Sequence, residues 1–527
     1  MKTFNVQTLG CKVNLYESQQ LAALLRQRGL TETDVSHADL RIVHSCSVTM
    51  QAASQSRQAV RRVVRLPLLS LAQSPSAGEP RPRSGHADSV PESPLEPGSP
   101  SSSMRVVVTG CWATSDSVEA AAILGVDAVI THHQDVAAEL DRLLAAWKSQ
   151  EPPLHRAVKS IPEDKPGGGE HVCGWTNNSE ASSTSPAVYS KALQPRSVNE
   201  NATDATVGIR RLPLLGEHQS GRQRAVMKIQ DGCDASCTYC IIPRLRPAPW
   251  SKSVEDAVAE ASALVAAGHV EIVLTGIFLG AYGHTTALRR RQPANGSMPP
   301  LAHLIEVLCQ RVGGLGRLRL SSLEPGDMTD ELIAVLRAHH QIVPHFHLPL
   351  QSASDAILRR MNRQYRCDDF RRMIDRVRGA FDRPALTTDV IVGFPGEGEA
   401  EFAQTQEMVR SAGFIHVHAF PYSPRPGTAA ARWEEQFVPG KIANQRVAIL
   451  SELARKQSLE FRRQFIGSTV EVIVEGNRTV GATHRHGRCE RYFPVEFESD
   501  SARPGDAVRV VIEQIEDERT LGRQCAP

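Results

Sequence analysis

The chain has few aromatic residues, no excess of charge of either sign and no long apolar run. Aromatic residues make up 5% of its 527 residues, and 60 Lys and Arg against 58 Asp and Glu leave a net charge of +2. Without a global positive field, any nucleic-acid binding must come from local patches. No apolar run reaches the roughly 18 residues of a membrane helix, and no signal peptide is recognisable. We therefore expect a soluble, cytoplasmic protein with no membrane partner.

The cysteine content is too low for a disulfide scaffold, since eleven cysteines are spread over the whole chain. Three of them, Cys233, Cys237 and Cys240, form a C-x-x-x-C-x-x-C array. Three thiolates on one loop can hold three irons of a [4Fe–4S] cluster and leave the fourth iron open to another ligand. The alternatives are a zinc loop or inert thiols, but a zinc site usually has a further Cys or His pair nearby, which is lacking here.

The N-terminal residues have the pattern of an open parallel α/β sheet. Strands are predicted at 4–8, 40–44 and 104–109. A helix is predicted from about Tyr16, and Thr49 is placed to cap the next one. Cys11, Cys46 and Cys111 each follow the carboxyl end of one strand. Because ligands bind outside those ends, we predict a second three-thiolate site there, the alternative being three ordinary buried thiols.

Two polar stretches interrupt this pattern, at about 67–103 and at 149–223. Both are rich in Pro, Ser, Gly or Thr. Such segments bury too little apolar surface to offset the entropy lost on ordering. We therefore predict a disordered insertion within the N-terminal domain and a polar linker behind it.

The remaining chain falls into two parts. Residues 224–465 alternate predicted strands with helices, and the cysteine array follows the first strand, which indicates an incomplete (β/α) barrel with catalytic groups at the carboxyl ends of its strands. Residues 466–527 contain short predicted strands at 469–475, 495–498 and 507–513. These strands and the local basic residues suggest a small β-barrel that binds RNA, with an ordinary solvated surface as the alternative.

Taken together, these parts resemble the radical S-adenosylmethionine (SAM) methylthiotransferases. The matching segments are 8–14, 46–49, 110–111, 232–243, 274–276, 321–325, 347–352, 389–397 and 420–428. The resemblance implies an N-terminal methylthiotransferase domain over 1–148, a radical-SAM domain over 224–465 and a TRAM-like RNA-binding domain over 466–527. The chain departs from the family after Pro243, where an Arg-Gly-rich run becomes Leu-Arg-Pro-Ala-Pro-Trp at 245–250.

The resemblance also implies cofactors and the residues that bind them. It implies two [4Fe–4S] clusters, one on Cys11, Cys46 and Cys111 and one on the catalytic array of Cys233, Cys237 and Cys240. SAM would chelate the open iron of the array and be cleaved to a 5′-deoxyadenosyl radical, while another SAM would methylate sulfur held on the first cluster. Contacts with SAM are implied for Gln351, Glu324, Gly393, Pro395, Gly396 and Glu397, although a tight turn or loop packing would explain these residues equally well.

The substrate is indicated by the motif Gly-Cys-Lys-Val-Asn at 10–14. It is most similar to family members that place a methylthio group on C2 of N6-threonylcarbamoyladenosine, at position 37 of tRNA. The implied partners are a tRNA anticodon loop, SAM, a low-potential electron donor and a sulfur source. Three alternatives remain. The enzyme could act on isopentenyladenosine in tRNA or on a ribosomal-protein aspartate, its second cluster could serve only in electron transfer, or the chain could be a non-catalytic Fe–S protein that binds RNA.

Overall fold

The computed structural model describes residues 1–69, 104–149, 212–216, 223–288, 298–476 and 483–525. The predicted insertion at 67–103 and the predicted linker at 149–223 lie largely outside these residues, so both stay predictions. No helix in the described ranges is long and apolar enough to cross a lipid bilayer.

The N-terminal part is a five-stranded parallel sheet of order β2-β1-β3-β4-β5. Its strands are β1 (Thr3–Thr8), β2 (Thr31–Glu32), β3 (Leu40–Ser45), β4 (Arg105–Gly110) and β5 (Ala128–Ile130). The helices are Lys12–Gln27, Met50–Arg65, Cys111–Ser115, Ser117–Ala121 and Val136–Lys148. β3 is buried along its whole length, as expected of a central parallel strand that is covered on both faces. The predicted parallel sheet is confirmed.

The first helix begins earlier than predicted, at Lys12 rather than near Tyr16. The chain reverses directly after β1, because Gly10 adopts φ +100° and Cys11 forms the N-cap of the helix. Thr49 caps the second helix as predicted, since its side chain accepts a hydrogen bond from the Ala52 N–H at 3.0 Å.

The helix Lys12–Gln27 is buried on two sides. Leu21, Leu24 and Leu25 pack in the core of the N-terminal sheet, whereas Tyr16 is part of the core of the central barrel. One helix therefore belongs to two hydrophobic cores.

The central part consists of two sheets that curve into a partial barrel. The first has order β7-β6-β8-β9 and the second has order β10-β11-β12. The strands are β6 (Arg224–Asp231), β7 (Trp250–Ser251), β8 (Glu271–Gly276), β9 (Arg317–Leu320), β10 (His345–His347), β11 (Ala385–Val392) and β12 (His416–Pro421). A bridge between Leu318 and Ile342 links β9 to the segment before β10, and only the pairing of β7 with β6 is antiparallel in the two sheets.

Helices follow most strands of this part. They are Ile242–Leu245, Val254–Ala266, Pro300–Arg311, Asp330–Ala338, Asp355–Arg360, Cys367–Ala380 and Glu399–Ala412. The predicted incomplete (β/α) barrel is confirmed.

A long helix, Gly440–Arg463, leads into a closed five-stranded barrel of order β13-β14-β15-β17-β16. Its strands are β13 (Thr469–Val474), β14 (His484–Cys489), β15 (Pro494–Glu498), β16 (Ala507–Ile515) and β17 (Thr520–Gln524). The predicted β-barrel is confirmed, although β14 and β17 were missed because their largely polar sequences, HRHGRC and TLGRQ, do not alternate apolar with polar residues.

Tyr492 of this barrel lies among arginines at the interface with the central part. The guanidinium carbons of Arg224, Arg319 and Arg488 lie 5.1, 4.7 and 4.7 Å from the centroid of its ring. The His345 ring centroid lies 5.2 Å from that of Tyr492. Guanidinium groups are attracted to aromatic faces at such distances, so this cluster holds the two barrels together.

The buried His345 makes stability depend on pH. Burial, followed by the charges of Arg319 and Lys12, lowers its pKa well below the ordinary value. As the pH falls, His345 is therefore protonated at a higher pH in the unfolded chain than in the folded protein. Its contribution to the free energy of unfolding is complete above about pH 6.5 and is lost below it. We expect the free energy of unfolding to fall by up to about 1.4 kcal/mol per pH unit below that value from this residue alone.

Thermal unfolding of the full chain between about pH 7.5 and 5 measures this effect. His345→Gln should flatten the dependence on pH, whereas His303→Gln, at an exposed position of the helix Pro300–Arg311, should not. An unchanged pH dependence in His345→Gln would contradict the prediction.

Candidate active site

Cys11, Cys46 and Cys111 converge at the carboxyl edge of the N-terminal sheet. The sulfur atoms of Cys11 and Cys111 each lie 4.0 Å from Oδ1 of Asn14. A Cβ placed on Gly10 would lie only 2.7 Å from the sulfur of Cys46, so glycine is required for this approach. The structure therefore brings the three predicted thiols together.

The loops that carry these thiols are tied to one another. The Asn14 amide donates hydrogen bonds to the carbonyls of Leu9 at 2.9 Å and Ser45 at 3.0 Å. These bonds join the loop after β1 to the carboxyl end of β3. A Cβ on Gly110, where φ is +96°, would lie 2.4 Å from the Ser45 carbonyl oxygen. Substitution of either residue would move a thiol.

Burial opposes the ionisation of two of these thiols. It raises the pKa of Cys46 and raises that of Cys111 to about 12. A buried thiol of this kind becomes a thiolate when a cation compensates its charge, and it then releases its proton. Three converging thiols thus form a donor set that fits an iron–sulfur cluster.

The second set of thiols lies on the loop after β6. The Cys240 N–H donates to the Cys237 carbonyl at 3.1 Å, and the Cys233 N–H donates to the Arg246 carbonyl at 3.0 Å. Burial raises the pKa of Cys233 to about 11 and that of Cys240 to about 12. This donor set also fits a cluster.

A single zinc ion is the alternative to a cluster on these thiols. Within the ranges that the structure describes, no three or more His, Cys, Asp or Glu side chains are grouped to hold a metal ion. Zinc–sulfur bonds of about 2.3 Å draw the thiolates together around one ion, whereas a four-iron cube distributes its cysteines over separate irons.

Arg363, whose role was not predicted from the sequence, contacts the second set of thiols. Its guanidinium donates to the Cys237 sulfur at 3.3 Å and to the Tyr239 hydroxyl at 3.3 Å, and it forms an ion pair with Glu324. Glu324, a predicted SAM contact, thus lies one side chain away from the cysteine loop. The sequence contains no signal that would separate Arg363 from its many neighbouring arginines.

A cavity of about 220 Å³ is lined by residues from the segment after Cys46 and from the loop of the second set of thiols. Its lining includes Ser47, Val48, Thr49, Tyr239, Cys240, Ile241, Ile242, Gln351, Asp389, Ile391, Phe420 and Arg425. The first three residues directly follow Cys46, and Cys240 belongs to the second set. Gln351, a predicted SAM contact, has φ +60°, which is uncommon for a residue other than glycine. Cys240 of the second set and the residues that follow Cys46 of the first set therefore line one cavity.

The other predicted SAM contacts, Gly393, Pro395, Gly396 and Glu397, form the turn after β11, and none of the four lines that cavity. The Glu397 carboxylate accepts a hydrogen bond from the Gly393 N–H at 2.8 Å and pairs with Arg446 at 2.6 Å. The turn therefore has a structural role of its own, and its contact with SAM stays a prediction.

A buried charge network joins the N-terminal part to the loop of the second set. Glu17 pairs with Lys228 at 2.8 Å and with Arg246 at 2.7 Å, while Asp231 pairs with the same two cations at 2.9 and 2.8 Å. Burial alone would raise the pKa of Glu17, but the charges of Arg246 and Lys228 hold this pKa well below its ordinary value. Two carboxylates and two cations thus neutralise one another at this interface.

Arg246 connects the surroundings of both sets of thiols. Its carbonyl accepts the hydrogen bond from Cys233, and its guanidinium donates to Nε2 of His132 at 3.0 Å. That ring nitrogen lies 3.7 Å from the sulfur of Cys111. Arg246 is a residue of the run in which the sequence departs from the family, and its position was not predicted.

Comparison with known proteins identifies relatives along nearly the whole chain. Residues 227–409 match the radical SAM superfamily, and residues 3–72 match the uncharacterized protein family UPF0004. The chain is 32% identical over 515 residues to threonylcarbamoyladenosine tRNA methylthiotransferase MtaB of Bacillus subtilis, which covers 97% of this chain and 94% of the relative. It is 31% identical over 527 residues to tRNA-2-methylthio-N(6)-dimethylallyladenosine synthase 1 of Mycobacterium marinum, with coverages of 97% and 84%.

Among solved structures, the chain is similar to the radical S-adenosylmethionine methyltransferase TsrM from Kitasatospora setae, which was solved with cobalamin and a [4Fe-4S] cluster bound. The TM-score is 0.47 at 14% identity, and the match covers 82% of this chain and 74% of that one.

Proposed function

The chain belongs to the radical-SAM methylthiotransferases, and we propose that it converts N6-threonylcarbamoyladenosine at position 37 of tRNA to its 2-methylthio derivative. The observation that carries this proposal is the cavity that is lined both by Cys240 of one set and by the residues that follow Cys46 of the other. Transfer of a methylthio group requires a sulfur source and a means of activating the base at the same place. The resemblance of the 10–14 motif and the similarity to the Bacillus subtilis relative support the choice of nucleoside.

In this proposal Cys233, Cys237 and Cys240 hold one cluster, and Cys11, Cys46 and Cys111 hold a second. When bound, the clusters and SAM supply the one-electron and sulfur chemistry that an unactivated adenine C2–H demands. Arg363 orients the cysteine loop through its hydrogen bond to Cys237. Ile241, Ile242 and Ile391 give the cavity apolar walls that exclude water.

The RNA would approach past Phe420. This side chain lines the cavity and is 42% exposed, which is unusual for a phenylalanine. Its ring is nearly parallel to that of His418, with an interplanar angle of 9°. Exposed aromatic rings stack with unpaired bases of RNA loops, so Phe420 would receive a base that has left the anticodon stack. The C-terminal barrel would bind the tRNA backbone, and the reaction also requires a low-potential electron donor and a sulfur source.

Mass spectrometry of tRNA nucleosides from a deletion strain and its parent tests the proposal. We expect 2-methylthio-N6-threonylcarbamoyladenosine to disappear and its unthiolated precursor to accumulate. Wild-type protein and a Cys309→Ala variant, which changes a buried thiol outside both sets, should each restore the product. If the dimethylallyl nucleoside lost its methylthio group instead, the substrate would be the nucleoside in the name of the Mycobacterium marinum relative. If no tRNA nucleoside changed, the proposal would fail.

A further inference from the structure

Arg425 is a buried cation without a counter-ion. It lies on the loop after β12 and is only 6% exposed. Its Nη1 contacts the sulfur of Met50 at 3.6 Å. Among the residues that the structure describes, Nε and Nη2 of Arg425 have no hydrogen-bond partner. Because a guanidinium stays protonated in proteins and a buried charge without a partner is costly, an anion bound here would remove that cost.

The backbone that carries this side chain is held in place. Pro424 and Pro426 flank Arg425, and their rings restrict the backbone on both sides of it. The Arg425 carbonyl accepts hydrogen bonds from the N–H of Thr428 at 3.0 Å and from its hydroxyl at 2.8 Å. The unpaired guanidinium is therefore a property of a well-defined loop.

Arg425 belongs to the cavity that was described above. It lines this cavity together with residues 47–49 of the N-terminal part. The loop of Arg425 also contacts that part directly, because the Met50 N–H donates a hydrogen bond to the Ser423 hydroxyl at 3.1 Å. The guanidinium thus lies where the two parts of the protein enclose the cavity.

The cavity offers Arg425 no anion of its own. Among the described residues that line it, the carboxylate is that of Asp389, which pairs with His347 at 3.1 Å. Nε and Nη2 share one edge of the planar guanidinium, and we call this pair of nitrogens the free edge. Two parallel N–H groups on one edge match the two oxygens of a carboxylate or a phosphate.

We propose that the free edge of Arg425 binds an oxyanion of the nucleotide that enters the cavity, which rests on the function proposed above. That nucleotide carries two oxyanions, the carboxylate of its N6-threonylcarbamoyl group and the phosphate of its backbone. Protein atoms shield the free edge from water, so the side chain rotates to meet the ligand. Met50, whose contact is then given up, is 48% exposed and has a flexible side chain.

Equilibrium binding tests this inference and distinguishes the two oxyanions. The probes are anticodon stem-loops with N6-threonylcarbamoyladenosine, with its neutral carboxamide analogue and with unmodified adenosine at position 37. They are titrated at several salt concentrations against reconstituted holoenzyme. Arg425→Met and Arg425→Gln remove the charge, and Arg425→Lys keeps the charge but loses the paired N–H groups. Arg432→Gln is the matched control, since it removes an exposed arginine of the same connection.

Both oxyanions predict a loss of affinity in the two neutral variants, but with different patterns. If the carboxylate is bound, the acid should bind at least about tenfold more weakly than to wild type, and the other two stem-loops should change by less than about twofold. If the phosphate is bound, all three should weaken at least about tenfold, and the slope of log affinity against log salt should fall by about 1. Arg425→Lys should lie between wild type and the neutral variants, and Arg432→Gln should stay within about twofold of wild type.

Two binding results would overturn the inference. Either both neutral variants bind all three stem-loops as wild type does, or all three weaken equally with an unchanged salt slope, which would show that Arg425 acts through the structure rather than by contact. Circular dichroism and iron content verify that each variant is folded and loaded.

Thermal unfolding gives an independent readout. Arg425→Met should unfold at a temperature no lower than wild type, because it removes an unpaired buried charge. A clearly lower unfolding temperature would assign Arg425 a structural role and would also overturn the inference. Failure of the proposed function would be seen separately, as wild-type enzyme that binds the N6-threonylcarbamoyladenosine stem-loop but adds no methylthio group to it.

Discussion

Replacement of Cys237 by alanine is expected to abolish both SAM cleavage and methylthio transfer, whereas replacement of Cys46 should abolish only the transfer. Two remaining thiolates cannot hold the cluster of the second set as three do. We expect product formation to fall at least about a thousandfold in each variant, which corresponds to about 4 kcal/mol of activation free energy. The different effects on SAM cleavage are expected because each variant removes a thiol from a different set.

The measurements are iron content, release of 5′-deoxyadenosine and methylthiolated product from reconstituted enzyme. Cys309→Ala is the matched control, since this thiol is buried on the helix Pro300–Arg311 in the barrel core and should leave all three readouts close to those of wild type. Methylthio transfer by Cys46→Ala would contradict the role assigned to the set formed by Cys11, Cys46 and Cys111. Substantial SAM cleavage by Cys237→Ala would contradict the assignment of the array.

Replacement of Arg246 by methionine is expected to destabilise the protein by about 3–5 kcal/mol, because breaking a buried ion pair leaves its partner charge uncompensated. The Arg246 side chain is only 2% exposed, and Glu17 and Asp231 would share Lys228 as their remaining cation. The variant should also load less iron, since the Arg246 carbonyl accepts a hydrogen bond from Cys233 and its guanidinium contacts His132, which lies beside the Cys111 sulfur.

Thermal and urea unfolding followed by circular dichroism measure this loss. Arg244→Met changes an exposed arginine two residues earlier in the same segment and should cost less than about 1 kcal/mol. If Glu17 and Arg246 are coupled, Glu17→Gln combined with Arg246→Met should cost less than the sum of the single variants. Equal stabilities of Arg246→Met and Arg244→Met would show that the network does not stabilise the interface.

The positions of the six cysteines were predictable because each depends on local pattern. Cys46 and Cys111 directly follow β3 and β4, Cys11 lies three residues after the end of β1, and the array follows β6. Parallel strands place their carboxyl ends on one edge, so spacing in the sequence was enough to bring each set together. The three-part architecture was predictable for the same reason.

The residues that surround the thiols were not predictable in this way. Arg363 and Arg246 act through partners that are 15 to 229 positions away in sequence, and no local periodicity encodes such pairs. Gln351 and Glu324 looked equivalent as residues that follow strands, but only Gln351 lines the cavity. β14 and β17 were missed because barrel closure, rather than an alternating pattern, holds their polar sequences in strands.

The helix Lys12–Gln27, which belongs to two hydrophobic cores, has a mechanical consequence. It carries Cys11 at its N-cap, while Tyr16 and Glu17, one turn further on, are anchored in the barrel core and in the buried charge network. A hinge between the N-terminal sheet and the barrel would have to extract Tyr16 and separate Glu17 from its cations. The helix therefore acts as a rigid spacer that keeps the gap between the two sets of thiols constant. In such a frame the moving part is the nucleic acid, and the base must leave its stack to reach enzyme groups that are already in place.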